Sequence, residues 1–138
     1  MTDRTLTILK PDSVAAGKVG AILAHLEREG FRFLAMKRIR LSPEQARAFY
    51  AVHRDRPFYD ALVRFMTEGP VVVVALAREN AVPHLRAVMG ATDSRKAEKG
   101  TVRSLHGTDI ERNAIHGSDS PENALKEVGF FFAESELL

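Results

Sequence analysis

Seven apolar residues in a row, Val71 to Ala77 (VVVVALA), preceded by Gly69-Pro70, constrain the fold of this chain most strongly. A run this short and this rich in β-branched side chains reads as a strand covered on both faces, or nearly so. Such a strand belongs in the middle of a sheet, and the rest of the chain must supply its neighbours and its cover.

The flanking segments supply both. Arg4 to Lys10 (RTLTILK) alternates polar with aliphatic residues and stops at Pro11-Asp12, a strand ending in a turn with Lys10 at its end. From Lys18 to Glu29, Val19, Ile22, Leu23 and Leu26 share one helical face, and Gly30 supplies a left-handed stop. Phe31 to Leu41 returns to a strand pattern. Ser42-Pro43-Glu44-Gln45 opens a helix with a capping box. Pro57 breaks that helical region and starts a second one carrying Phe58, Ala61, Leu62, Phe65 and Met66, so the pair forms a helical hairpin. Asn80 to Met89 is a short helix. Ala91 to Asn113 is a long polar loop, of a length that is usually functional. Glu122 to Val128 is helical, and Phe130-Phe131-Phe132 reads as a last short strand. This order predicts an α+β fold, a four-stranded antiparallel sheet covered by helices, in one domain over residues 1–138.

Composition closes off several functions. At 138 residues the chain can bury close to ~70% of its extended surface. An apolar fraction of 45% is that of a globular chain and argues against disorder. With no cysteine, disulfides, thiol catalysis and thiolate metal sites are excluded. The amino-terminal residues MTDRTLTILKPD carry early charges and no apolar run, so neither a signal peptide nor a membrane span is expected, and the chain reads as soluble. Lys and Arg (20) exceed Asp and Glu (18) by two, too little to imply nucleic acid as a required partner.

The Gly-rich phosphate loops and the HExxH zinc motif are absent, and the five histidines form no ligand-spaced set, so no protein-held metal is expected. The informative stretch is Asn113 to Ser120 (NAIHGSDS), where His116 lies among glycine and small polar residues just before a helix and is expected to be exposed. A neutral imidazole, with an ordinary pKa of ~6.5, is a competent nucleophile near neutrality, and a phosphorylated one readily passes its group on. Ser118 and Glu127 are placed to orient the ring through hydrogen bonds. From spacing alone, a turn histidine with a capping role explains the same pattern.

NAIHGSDS resembles the active-site signature of the nucleoside diphosphate kinases. Lys10-Pro11-Asp12, Gly30-Phe31, Asp55-Arg56-Pro57-Phe58, Gly69-Pro70-Val71-Val72, Met89-Gly90-Ala91-Thr92 and Gly100-Thr101-Val102-Arg103 resemble that family in order and spacing. The resemblance implies a ferredoxin-like core with an inserted helical hairpin. It also implies a Mg²⁺-dependent ping-pong transfer of the terminal phosphate from nucleoside triphosphates to nucleoside diphosphates.

By the same resemblance His116 accepts the phosphate, and Glu127, hydrogen-bonded through Ser118, holds the other ring nitrogen. Lys10, Arg86 and Arg103 neutralise charge on the moving group; Thr92 and Asn113 bind phosphate and sugar. Tyr50 lies near the phosphoryl group, Phe58 stacks on the base, and Leu62 and Ile110 sit beside it. Mg²⁺ is carried by the nucleotide phosphates, with Asp119 reaching it through water. A homo-tetramer or homo-hexamer in the cytoplasm is implied.

Read without the family, Lys10 guards a strand end, Arg86 and Arg103 are solvated charges, Leu62 packs a hairpin, and Asp119 caps the next helix. Ser13, Lys99 and Ser104-Leu105-His106 depart from the family pattern, the last two in a loop the family uses between subunits. A module that binds nucleotide without turnover, or an interaction domain whose histidine caps a helix, are the competing functions.

Overall fold

The computed structural model describes residues 2–138. Four strands, β1 (Thr2–Leu9), β2 (Arg32–Ile39), β3 (Val71–Glu79) and β4 (Ile115–Gly117), form one sheet in the order β2-β3-β1-β4. Every neighbouring pair is antiparallel. This is the expected four-stranded α+β arrangement, with the apolar run of β3 in an interior position and Val71 to Ala77 all buried.

Residues alternate across β3 because successive side chains in a strand point to opposite faces. Val72, Val74 and Leu76 pack with Leu9 against α2 (Val19–Arg28) and α5 (Ala81–Met89). Val71, Val73 and Ala75 pack with Leu6 and Ile8 against α3 (Pro43–Phe49), α4 (Tyr59–Met66) and α7 (Pro121–Phe131). Burying each such aliphatic side chain contributes about 1.5–3 kcal/mol, so the β-branched run anchors both layers at once.

Local signals behave as their chemistry dictates. Ser42 Oγ accepts from Gln45 N at 3.1 Å while Gln45 Oε1 accepts from Ser42 N at 2.9 Å, closing the capping box that opens α3. Gly30, at φ +88°, ends the α2 segment. The helical hairpin is α3 and α4, joined by a short 3₁₀ turn at Ala51–His53.

Three expectations are corrected. Phe130-Phe131-Phe132 is not a strand: α7 runs through Phe131, and Phe132 caps it with its ring buried. A lone Gly129 costs a helix only about 1 kcal/mol, which the aromatic packing at its end outweighs. The fourth strand is instead Ile115–Gly117, three residues inside the NAIHGSDS stretch, too short to show periodicity. Pro11-Asp12 is not a bare turn, because Pro11 opens the short helix α1 (Pro11–Ala15). The segment Ala91 to Asn113 also holds a 3₁₀ turn at Ser94–Lys96 and helix α6 (Val102–His106), capped by Asp93 and Thr101 side chains. Among the described residues, no helix is long and apolar enough to cross a membrane.

Candidate active site

Strand β4 places the histidine. His116 pairs with Ile8 across the sheet, and directly opposed residues share a face, so the imidazole lies on the side covered by α3, α4 and α7. The turn before β4 is held by the start of α1. Ala114 adopts φ +74°, a left-handed conformation costing a non-glycine residue about 1–2 kcal/mol. Three groups hold it there. Its N–H donates to Asp12 Oδ2 at 3.1 Å, and its carbonyl accepts from Lys10 N and Ser13 Oγ, both at 2.9 Å.

His116 Nε2 lies 2.7 Å from Glu127 Oε1, and Ser118 Oγ donates to the same oxygen at 2.8 Å. Glu127 thus reaches the ring directly, and Ser118 braces the carboxylate from behind while accepting from Leu6 N at 3.3 Å. An ionised carboxylate only accepts hydrogen bonds, so the ring proton belongs on Nε2 and Nδ1 keeps its lone pair. The ring is less open than a free turn would leave it, with 18% of the side chain exposed. Phe49 and Tyr50 set their rings edge-on to it at 5.4 and 6.0 Å.

A cavity of about 800 Å³ opens onto this ring. Every site residue expected from the sequence lines it except Ser118, which is fully buried behind Glu127. On one side are the cations. Lys10 Nζ donates to Asn113 Oδ1 at 2.7 Å, and Asn113 Nδ2 donates to the carbonyls of Thr92 and Ile110 at 3.0 and 3.2 Å. Arg103 is buried and spreads its guanidinium over the carbonyls of Asn113, Gly90 and Ile115. Burial, and then the charge of Arg103, bring Lys10 down to about 7. Burial, and then Arg86, bring Arg103 down to about 10. Three positive groups thus repel one another in a partly desolvated space, a field that an anion would relieve.

Of the other lining residues, Phe58 and Ile110 expose apolar surface, 49% and 59%, and Leu62 is partly buried. This makes an open slot with a flat ring on one wall. Tyr50 is 5% exposed and its hydroxyl has no hydrogen-bond partner among the described residues; burial, and then Glu127, push its pKa up, so it remains a donor. Asp119 Oδ1 accepts from Asn123 Nδ2 at 2.6 Å, and this bond, with the field of Arg86, holds its carboxyl below the usual range. Among the described residues no three or more His, Asp or Glu side chains gather as a metal site.

Sequence reasoning missed Phe49, His53, Asn123 and Lys126, which also line the cavity, and the clamping role of Asp12 and Ser13. Asp12 was legible only as part of a motif. Nothing local distinguished Phe49 from a core aromatic.

The fold and the cavity define a class: an α+β protein whose sheet edge presents a carboxylate-held imidazole to clustered cations, a site suited to phosphoryl groups. A model of the nucleoside diphosphate kinase family matches residues 3–137. Relatives named nucleoside diphosphate kinase include one from Gluconacetobacter diazotrophicus, 55% identical over 137 residues, covering 99% of this chain and 98% of that one. Another, from Persephonella marina, is 48% identical over 136 residues, covering 99% and 97%. The Aquifex aeolicus nucleoside diphosphate kinase superposes with a TM-score of 0.97 at 45% identity, with both chains fully covered. The Halobacterium salinarum enzyme, solved in complex with CDP, gives 0.95 at 38% identity, covering 100% of this chain and 92% of that one. The chain belongs to the nucleoside diphosphate kinase family.

Proposed function

We propose that this chain moves the terminal phosphate of a nucleoside triphosphate to a nucleoside diphosphate in two half-reactions through His116. The observation carrying the reading is the 2.7 Å contact of His116 Nε2 with Glu127, which leaves Nδ1 as the nucleophile. The Nδ1 lone pair attacks the terminal phosphorus, the bond to the bridging oxygen breaks, and the nucleoside diphosphate departs with that electron pair. The Nε2 proton stays shared with Glu127, stabilising the positive charge that grows on the ring. A second diphosphate then enters the same cavity and reverses the sequence.

Lys10, Arg86 and Arg103 neutralise the moving group, and Tyr50 offers its hydroxyl. Thr92 and Asn113 hydrogen-bond phosphate and sugar. Phe58 stacks on the base with Leu62 and Ile110 beside it, a contact tolerant of base identity because every base has a π face.

Mg²⁺ fits this site only as a companion of the nucleotide. Asp119 offers one ionised carboxylate at the cavity wall, enough to order a metal-bound water but not to hold the ion alone. When bound on the phosphates, it would supply charge neutralisation.

The reading extends to a single domain over 1–138, a homo-oligomer of four or six copies, and a cytoplasmic setting. Protein incubated with γ-labelled ATP is expected to take up label that survives alkali and is lost in acid. His116→Ala is expected to take up none; label retained in that variant would overturn the assignment.

A further inference from the structure

The base slot has two walls from distant parts of the chain, and one ion pair outside the cavity joins them. Phe58 and Leu62 stand at the start of α4; Ile110 stands on segment 107–113, which has no regular structure. That segment is folded on itself. Thr108 N donates to the Arg112 carbonyl at 2.7 Å, and Asp109 Oδ1 accepts from the backbone of Glu111 and Arg112 at 3.0 and 2.8 Å. Ile110 is thus held at the tip and Arg112 at the base. Arg112 Nη2 bridges both carboxylate oxygens of Glu68, each at 3.0 Å, two residues beyond the end of α4. Its guanidinium lies 4.9 Å from the ring centroid of Phe65, on α4 itself. Neither Glu68 nor Arg112 lines the cavity.

We propose that Glu68 and Arg112 are positioning residues that set the hold on the nucleotide base, by strapping the Ile110 wall to the Phe58 wall. This rests on the reading that the cavity binds nucleotides. The pair is about half exposed, 43% and 46%, so it adds little to global stability and is weakened by salt. Its reach is local: it fixes a loop that has no strand or helix to stiffen it. Loosening the strap leaves the tip with only its backbone ties, the Ile110 carbonyl on Asn113 Nδ2 and the Asp109 carbonyl on Ser94 N, so the Ile110 side chain is held less firmly against the base, while Lys10 and Arg103, bonded to Asn113 beyond Arg112, keep their places.

The test compares binding of ADP with binding of the base-free ribose diphosphate in wild type, Glu68→Ala and the exchanged pair Glu68→Arg/Arg112→Glu. Glu68→Ala is expected to weaken ADP about two- to fivefold, with the base-free ligand unchanged. The exchanged pair is expected to recover most of that loss, and raised salt to narrow the gap between wild type and Glu68→Ala. Equal weakening of both ligands, no change in either, or no recovery in the exchanged pair would overturn the proposal. Wild-type protein that binds neither ligand would instead sink the nucleotide reading. A Glu68→Ala chain that fails to fold would lose the base-free ligand too and count against a merely local strap.

Discussion

Lys10 Nζ and Asn113 Oδ1 meet at 2.7 Å with both side chains buried, joining the end of β1 to the turn that leads into β4. An ammonium in such a place keeps one hydrogen bond and has lost most of its water. Its proton is therefore loosely held until an anion arrives, and this makes the site responsive to pH.

Burial, and then the repulsion of Arg103, lower Lys10 from 10.5 to about 7. The unfolded chain therefore binds more protons than the folded one between about 7 and 10.5, and stability attributable to this residue rises with pH across that window. It is fully present above 10.5 and lost as pH falls through 7. Lys10→Met is expected to flatten this part of the stability profile in denaturant titrations. Nucleotide phosphates favour the charged form, so ADP binding at mildly alkaline pH is expected to take up a proton. Calorimetry in buffers of differing ionisation enthalpy measures that uptake.

Tyr50 offers a buried hydroxyl with no hydrogen-bond partner among the described residues. Removing it in Tyr50→Phe relieves an unsatisfied group, so the melting temperature is expected to hold or rise. A hydrogen bond to a charged phosphoryl group is worth about 1.5–3 kcal/mol, so His116 phosphorylation is expected to slow about 10- to 100-fold. Single-turnover labelling measures the rate, and an unchanged rate would remove Tyr50 from the site.

The left-handed turn at Ala114 depends on Asp12. Asp12→Ala leaves the Ala114 N–H buried without an acceptor, a loss of about 1–3 kcal/mol. Ala114→Gly adopts the same backbone angle without the side-chain clash, so in the Asp12→Ala background it is expected to recover both stability and labelling in part. Recovery of stability without labelling would show that Asp12 acts on chemistry by another route.

Much of this was legible because it was local or periodic. The seven apolar residues from Val71 announced a strand buried on both faces, Ser42 and Gln45 announced a capped helix start, and Gly30 announced its predecessor's end. What stayed hidden depends on tertiary placement. Ile115–Gly117 is a strand only because β1 offers it an edge. Phe130 and Phe131 reach the Phe49 ring of α3 from the end of a helix, so their packing needs no strand. At the site, NAIHGSDS marked the imidazole through family resemblance, yet its bland reading as a turn histidine was removed only when α7 brought Glu127 to Nε2. Lys10, Arg86 and Arg103 lie far apart in sequence, and only the fold gathers them around one cavity. The pairing of Arg112 with Glu68, 44 residues apart, left no trace in either neighbourhood.

Nδ1 is the reactive nitrogen in this account because Glu127 occupies the other. Magnetic resonance of the nitrogen-labelled protein after brief exposure to ATP distinguishes phosphorus bonded to either ring nitrogen. Coupling of phosphorus to His116 Nδ1, with the Nε2 proton retained, is the expected result; phosphorus on Nε2, or on any residue other than His116, would contradict it.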